Sequence, residues 1–248
     1  MKLVDVHAHL ESSKFDGDLD EVIRRFVDAG GRVVINSGTS PERNRECLEL
    51  ARRYDCVRAS FGFYPVGNFS KDVDKEIEWI RERLSECVAV GEIGLDFAEG
   101  RGDMERQVKL FKKMLGFAKE VGLPVVIHSR KAEAEAIEIL EEFGMKKVVM
   151  HCFCGRKSLI KRCVENGWSF SVPPAIMRWD NFRMLVESVP IEQLLTETDS
   201  PYLSSVAGER NEPVNVLVTL KEIARIKGLS VEEVSEKIWG NAGRMFGF

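Results

Sequence analysis

Histidine is scarce in this sequence, with only four copies in 248 residues. His7 and His9 form a His-x-His pair in LVDVHAH, His128 ends the apolar run PVVIHS, and His151 ends KVVMHC. All four therefore lie at or near the end of a short apolar segment with strand character. Because imidazole is a common ligand of divalent transition metals, this placement predicts one buried metal centre.

Long apolar segments are absent. No run approaches the roughly 18 apolar residues that a membrane helix needs. Met1 and Lys2 lead directly into a strand-like segment, and nothing at this start resembles a secretory signal. We therefore expect a soluble, cytoplasmic protein without membrane association.

Positive charge is not in excess. The chain has 36 lysines and arginines against 40 aspartates and glutamates, for a formal net charge of −4. A protein that coats nucleic acid usually carries a basic face, so this class is disfavoured. A nuclease is not excluded, because bound divalent cations would add positive charge where a phosphate must lie.

Paired cysteines are also missing. The six cysteines show no C-x-x-C spacing and no dense clustering: Cys47, Cys56, Cys87, Cys152, Cys154 and Cys163. We expect them to be small apolar residues in a reducing cytosol.

Strand-like and helix-like segments alternate along the whole chain. The predicted strands are Val/Ile/Leu-rich runs at Leu3–His7, Arg32–Ser37, Val57–Phe63, Val88–Gly94, Pro124–Ser129, Lys147–Phe153, Trp168–Val172 and Leu194–Thr198. The predicted amphipathic helices are Leu19–Ala29, Pro41–Tyr54, Asp72–Glu86, Met104–Glu120, Ala132–Phe143 and Ser158–Asn166. A capping box, Ser230 to Glu233, predicts the start of the last helix.

This alternation predicts an α/β fold, a single (β/α)₈ TIM-type barrel that spans residues 1–248 as one domain. No linker or low-complexity tract divides the chain. A doubly wound open sheet is the alternative, although it would more often have fewer strands.

Two carboxylates complete the predicted metal centre: Glu92 in VAVGEIGLD and Asp199 in LLTETD. In a barrel, catalytic residues lie at the C-terminal ends of the strands. The predicted metal ligands are His7, His9, Glu92, His128, His151 and Asp199. Six ligands are too many for one tetrahedral zinc but suit two divalent ions (Zn, Mn, Co or Mg) that share a bridging carboxylate and activate a water. Glu92 is the predicted bridge and Asp199 the predicted general base, which makes both catalytic residues.

Alternation along a strand gives further expectations. Cys152 and Cys154 should point away from the face of His151, so neither is predicted to be a ligand. Asp5 and Glu197 have two open interpretations, as partners of the ligand histidines or of an interior arginine. Asp96 could hold either a loop or a ligand.

The motifs DVHAHL, GEIGLDF, PVVIHSR, HCFCG, ETDSPYL and RNEP together resemble the TatD-type metal-dependent deoxyribonucleases of the amidohydrolase superfamily. The resemblance runs from Val4 to about Phe246. It implies a barrel with two divalent metals that hydrolyses DNA phosphodiesters, and its metal ligands fall on the six residues named above. No organic cofactor is expected.

The sequence departs from the family pattern after the third strand. The usual Gly-x-His-Pro-His reads here Gly62-Phe63-Tyr64-Pro65-Val66, so Tyr64 and Val66 replace two histidines. Lys131 stands where many relatives carry an acid. Tyr64 is a predicted substrate-binding residue that would donate a hydrogen bond or stack on a base.

Arginines near strand ends are candidates for binding phosphate, because the guanidinium group donates two parallel hydrogen bonds. The candidates are Arg130, Arg156, Arg178 and Arg210. Arg130 and Arg210 are predicted to bind substrate. Trp179 and Phe153 are candidate stacking surfaces, with core packing favoured for Phe153.

The predicted function is hydrolysis of DNA, with exonuclease-type action on ends or single strands. One alternative is a small-molecule ester, lactone or amide hydrolase on the same site, since barrels host many chemistries. An aminoacyl-tRNA ester hydrolase and a non-catalytic binding protein that keeps metal for stability are the others. Glu92, in place of the modified lysine of some superfamily members, favours the deoxyribonuclease branch.

Overall fold

Eight parallel strands, each followed by helix, form the frame of the protein. The computed structural model describes residues 1–248, and each strand pairs in parallel with the next in chain order. The strands are β1 (Leu3–Ala8), β2 (Gly31–Ser37), β3 (Val57–Phe61), β4 (Cys87–Asp96), β5 (Val125–Arg130), β6 (Val148–Met150), β7 (Ser169–Val172) and β8 (Leu194–Thr196). The helices are α1 (Leu19–Asp28), α2 (Pro41–Arg53), α3 (Val73–Arg81), α4 (Met104–Val121), α5 (Glu133–Glu142), α6 (Lys157–Glu165), α7 (Asp180–Ser188), α8 (Val216–Lys227) and α9 (Val231–Phe246).

The last strand returns beside the first. The Thr196 hydroxyl donates to the carbonyl of Val4 at 2.6 Å. Just beyond the two strands, the Asp199 amide donates to the carbonyl of His7 at 2.9 Å. These contacts bring β8 against β1, and the predicted (β/α)₈ barrel is confirmed.

The strands supply the core. Every residue of β1 and of β7 is buried, as expected for parallel strands covered on both faces. Ser40 and Ser230 are the N-cap residues of α2 and α9, and their side chains accept backbone hydrogen bonds from the first turn of each helix. The capping box with Glu233 is present as predicted. None of the helices is both long enough and apolar enough to cross a membrane.

Three strands end earlier than the apolar runs that predicted them. β3 stops at Phe61, β6 at Met150 and β8 at Thr196, where Phe63, Phe153 and Thr198 were expected. Cys152 (φ 46°) and Asp199 (φ 53°) adopt left-handed backbone conformations that cannot continue a strand. The structure also contains α7 and α8, which the sequence analysis did not identify.

The cysteines are all free thiols. Cys47, Cys87 and Cys163 are buried, as expected for small apolar residues. Cys154 is exposed on the segment after β6.

Candidate metal centre

The C-terminal ends of the strands open into a cavity of about 710 Å³. The side chains of the six predicted ligands converge at its floor, and we call them the cluster: His7, His9, Glu92, His128, His151 and Asp199. Five of them line the cavity, while His7 is fully buried beneath it. The sequence placed all six at strand ends, and the fold brings them together.

Glu92 lies at the centre of the cluster. Its Oε2 is 3.5 Å from His7 Nε2 and 3.6 Å from His9 Nε2. Its Oε1 is 2.8 Å from His128 Nδ1 and 3.9 Å from His151 Nε2. The two oxygens of one carboxylate thus face two separate pairs of imidazoles.

Asp199 joins the first of these pairs. Its Oδ1 lies 3.5 Å from His7 Nε2 and 3.3 Å from His9 Nε2. The two Nε2 atoms are 3.2 Å apart. The side chain of Asp199 retains 16% exposure to the cavity, which keeps it accessible to a small molecule there.

Ser37, at the end of β2, orients the histidines of β1. Its backbone carbonyl lies 3.0 Å from His9 Nδ1, and its hydroxyl lies 3.1 Å from His7 Nδ1. A carbonyl can only accept a hydrogen bond, so His9 carries a proton on Nδ1, and its neutral form would offer the Nε2 lone pair to a metal ion. Such a contact on the far nitrogen is what orients a metal-binding histidine.

Glu197 plays the same part for His151. Its Oε2 lies 2.7 Å from His151 Nδ1 and accepts from the Ser171 hydroxyl at 2.6 Å, while its Oε1 accepts from the Cys152 amide at 3.0 Å. Of the two interpretations left open for Glu197, the structure therefore selects the histidine partner. Full burial makes this carboxylate a fixed support.

Glu197→Gln is expected to weaken divalent cation binding about 10- to 100-fold, because such supporting carboxylates set the orientation and basicity of the ligand histidine. Glutamine keeps the size of the side chain but lacks the charge. Titration calorimetry with Mn²⁺ would measure the affinity. The control is Glu165→Gln, an exposed position on α6; unchanged affinity in Glu197→Gln would refute the supporting role.

Asp96 and Tyr64 surround the other nitrogen of His128. Asp96 Oδ2 lies 3.0 Å from His128 Nε2 and accepts a hydrogen bond from the Tyr64 hydroxyl at 3.0 Å. Its Oδ1 accepts from the amides of Ala98 and Glu99 at 2.9 and 2.8 Å. Asp96 therefore holds both a ligand and a loop, the two roles that the sequence left open.

Asp5 supports the backbone rather than a ring. Its Oδ1 accepts from the amides of His7 and Thr198 at 3.2 and 2.9 Å. Burial raises the pKa of this carboxyl to about 7, against the lowering effect of these hydrogen bonds. Asp5 pairs with no arginine and contacts His7 through the backbone amide of that histidine, so of the two interpretations the structure favours the histidine partner, and the contact ties β1 to the segment that leads to Asp199.

Charge is concentrated in the cluster. Burial would raise the pKa of Glu92, but hydrogen bonds with His128 and His7 hold that pKa well below its usual range. Asp199 has a lowered pKa for the same reason, through His7 and His9. Both carboxylates are consequently ionised at neutral pH, as metal ligands must be.

The donor set fits divalent cations. His7, His9, Asp199 and one oxygen of Glu92 form one group of nitrogen and oxygen atoms, and His128, His151 and the other oxygen of Glu92 form a second. Ligand atoms within the triads His7, Glu92, His151 and His7, His9, Asp199 all lie within 4.8 Å of one another. Mixed imidazole and carboxylate ligation suits Zn, Mn and Co.

Comparison with known proteins agrees with this geometry. The family model described as TatD related DNase matches residues 4–247. This chain belongs to that family. Relatives in the TatD family include an uncharacterized metal-dependent hydrolase of Methanocaldococcus jannaschii, 35% identical over 99% of this chain and 97% of the relative. The human deoxyribonuclease TATDN3 is 35% identical over 98% and 94% of the two chains. The 3′-5′ ssDNA/RNA exonuclease TatD of Erwinia amylovora is 31% identical over 99% and 100%.

A solved TatD structure has the same fold. The TatD homologue YJJV of Escherichia coli superimposes with a TM-score of 0.93 at 25% identity, over 99% of this chain and 98% of that one. The resemblance stated from the motifs is therefore confirmed, and the relatives from Methanocaldococcus jannaschii and Bacillus subtilis are described as metal-dependent hydrolases.

The TatD family pattern is altered on the β3 side of the cavity. Tyr64 and Val66 line the wall where the family pattern places histidines. The Tyr64 hydroxyl is already committed to Asp96 and lies 3.3 Å from His128 Nε2. Burial raises the pKa of this phenol further above its usual value, so Tyr64 stays neutral. Contact with a substrate would therefore use its ring.

The candidate phosphate-binding arginines have different positions. Arg130 lines the cavity with 62% of its side chain exposed, and its Nη1 is 3.9 Å from Asp96 Oδ2. Arg210 does not line the cavity and instead pairs with Asp18 through both carboxylate oxygens. Arg156 and Arg178 are exposed outside the cavity lining. Only Arg130 of the four therefore faces the cluster's cavity.

The two candidate stacking residues have different environments. Phe153 is buried and packs edge-on against Phe170 at 5.6 Å between ring centroids, which is core packing. Trp179 is partly exposed and stacks on Phe182 at 5.8 Å, outside the cavity.

Sequence reasoning missed several cavity residues. Glu11 follows His7 and His9 at the same two-residue spacing, and its Oε1 lies 3.6 Å from His9 Nδ1, so strand alternation carried a signal for it. Arg43 lines the cavity from the first turn of α2, where its Nη1 donates to the Glu11 carbonyl at 2.8 Å. No local pattern in the sequence distinguishes it from the other arginines of that helix.

Proposed function

We propose that this protein hydrolyses phosphodiester bonds of DNA, acting on ends of single strands, with two divalent cations held by the cluster. The observation that carries the proposal is the position of Glu92, whose two oxygens face two separate groups of ligands. Names of relatives support the substrate: a human deoxyribonuclease and a bacterial 3′-5′ ssDNA/RNA exonuclease.

The ligands divide between two positions in this proposal. His7, His9 and Asp199 would hold one cation, His128 and His151 the other, and Glu92 both. Divalent cations, when bound, lower the pKa of water and neutralise negative charge on phosphate oxygens. The protein supplies the fixed donors, which Ser37, Glu197 and Asp96 orient from behind.

Asp199 is the proposed general base. Both of its contacts with histidines use Oδ1, which leaves Oδ2 for the proton of the attacking water. Its carboxyl is ionised at neutral pH and accessible from the cavity. A positioned carboxylate of this kind is suited to proton transfer.

Arg130 is the proposed phosphate-binding residue. Its guanidinium group lies at the cavity without a close carboxylate partner, since Asp96 is 3.9 Å away. Such a group can donate two parallel hydrogen bonds to a phosphodiester. Arg210 pairs with Asp18 and does not line the cavity, so its position does not support the predicted role in substrate binding.

A metal-stripped and reloaded preparation tests the proposal directly. We expect protein loaded with Mn²⁺, Zn²⁺, Co²⁺ or Mg²⁺ to shorten single-stranded DNA from its ends. The parallel assays use duplex DNA, RNA, aminoacyl-tRNA and small esters, lactones and amides. Turnover of one of the other substrates without cleavage of DNA would refute the proposal in favour of that rival.

Arg130→Ala is expected to lower kcat/KM for DNA about 10- to 150-fold, the loss of charge-assisted hydrogen bonds to a phosphate. Metal content and hydrolysis of a neutral ester should not change. Arg24→Ala, an exposed arginine on α1 outside the cavity, is the matched control. Equal losses on DNA and on the ester would identify a structural role and contradict phosphate binding.

A further inference from the structure

Tyr202 is an aromatic side chain left open at the mouth of the metal centre. Few large apolar side chains of the chain are exposed: Met1, Val27, Met104, Met177, Trp179, Tyr202 and Val206. Tyr202 is the most exposed of these, at 51%, and the one that lines the cavity. An apolar surface at such a position is a candidate contact for a ligand.

The backbone that carries the ring is fixed relative to the cluster. The Tyr202 amide donates to the carbonyl of Asp199 at 2.8 Å, and the His9 amide donates to the carbonyl of Ser200 at 2.8 Å. The ring centroid lies 6.4 Å from that of His9, with the planes at 64°. A group bound at the cluster would therefore lie next to this ring.

A cation lies over the Tyr202 ring. The Lys14 ammonium group is 4.9 Å from the ring centroid, and Lys14 is itself exposed. Proteins that bind single-stranded nucleic acid combine aromatic side chains, on which bases stack, with positive groups that follow the backbone. Both elements are present here, and a base would stack on the face of the ring that Lys14 leaves open.

The rest of the cavity offers no equivalent surface. Its other apolar lining residues are Tyr64 and Val66, and the Tyr64 ring lies beside that of His128. Tyr64 is half-buried and tied to Asp96 through its hydroxyl. Tyr202 is thus the more open of the two tyrosine rings that line the cavity.

We propose that Tyr202 is the stacking platform for the nucleobase next to the scissile phosphodiester, with Lys14 beside the adjoining phosphate. This inference rests on the proposed function and deepens it by assigning a base subsite. Stacking of a base on an aromatic side chain is sequence-tolerant, so the subsite would accept any base but would require one to be present.

The test compares single-stranded oligonucleotides that carry either natural bases or one abasic tetrahydrofuran residue at each of the last three positions from either end. For Mn²⁺-loaded wild type, we expect one abasic position to lower kcat/KM about 5- to 150-fold, the usual range for one stacked base. Tyr202→Ala should show that loss on the natural strand and no further loss on the abasic one. Tyr202→Phe and Tyr202→Trp should behave like wild type.

Val206→Ala is the matched control, since Val206 lies in the same loop, is exposed and does not line the cavity. Metal content and thermal unfolding of each variant establish that the site and fold are intact. The proposal would be overturned if the abasic residue lowered kcat/KM of Tyr202→Ala as much as it lowers that of wild type. A loss in Tyr202→Phe equal to that in Tyr202→Ala would overturn it too.

Binding separates this inference from the proposed function. Fluorescence anisotropy in the presence of EDTA measures affinity for the same oligonucleotides without cleavage. If wild type binds the abasic oligonucleotide more weakly than the natural one and Tyr202→Ala binds both equally, the platform is supported even in a protein that cleaves no DNA. Cleavage of DNA without any base dependence would overturn the platform and leave the proposed function standing, and absence of both binding and cleavage would overturn both.

Discussion

Asp199→Asn is expected to slow DNA cleavage by about 10²–10⁴-fold, the usual contribution of a general base. Asparagine keeps the size of the side chain and one oxygen that can face His7 and His9, but it cannot accept a proton. The backbone of Asp199 is fixed by the hydrogen bond that its amide donates to the carbonyl of His7, so we expect normal folding. At least one metal ion and DNA binding should also remain.

Single-turnover kinetics, metal analysis and a gel-shift assay together check this expectation. His9→Ala is the comparison, because it removes a ligand and should lower metal content together with the rate. Cleavage at the wild-type rate by Asp199→Asn, with its metal in place, would show that another group takes the proton. Glu92 and Glu197 would then be the next carboxylates to examine.

Of the single substitutions in the cluster, Glu92→Gln is expected to lower both metal content and cleavage the most. In glutamine, one of the two carboxylate oxygens is replaced by an amide nitrogen, which donates hydrogen bonds instead of accepting them. One of the two imidazole pairs therefore loses its shared acceptor. We expect a drop from two bound ions to one or none. Since metal ions supply several kcal/mol of transition-state stabilisation, cleavage should fall about 10³-fold or more.

Elemental analysis after saturation with Mn²⁺ or Zn²⁺ gives the stoichiometry. Glu99→Gln provides the control, because Glu99 lines the same cavity but does not belong to the cluster. A single ion at saturation in the wild type would rule out the two-ion proposal. Retention of two ions and full activity in Glu92→Gln would show that this carboxylate does not bridge them.

The barrel was predictable because its signals are local. Continuous apolar runs mark strands that are buried on both faces, and each is separated from the next by a helix-length segment. The ends of β6 and β8 were harder to predict. In each case the predicted strand continues past the last strand residue, whereas the backbone becomes left-handed at Cys152 after β6 and at Asp199 after β8. The short helix α7 follows a loop that contains Trp179, and no capping side chain marks its start.

The cluster was predictable for a different reason. Topology alone places the ends of parallel strands together, so residue type and position along each strand were sufficient. The supporting contacts were not predictable, because they depend on side chains from neighbouring strands, as with the Ser37 hydroxyl beside His7. The pairing of Arg210 with Asp18 is likewise a long-range contact that no motif could indicate.

The bond between Asp5 and the Thr198 amide joins residues 193 positions apart. The cluster itself draws its side chains from the first strand, the middle strands and the segment after the last. Contacts of such separation close a long loop of chain and therefore cost more conformational entropy than local contacts. A partly folded chain would hold only part of the cluster, and bound cations would favour the closed barrel over every open form. Activity of this protein therefore requires the complete barrel.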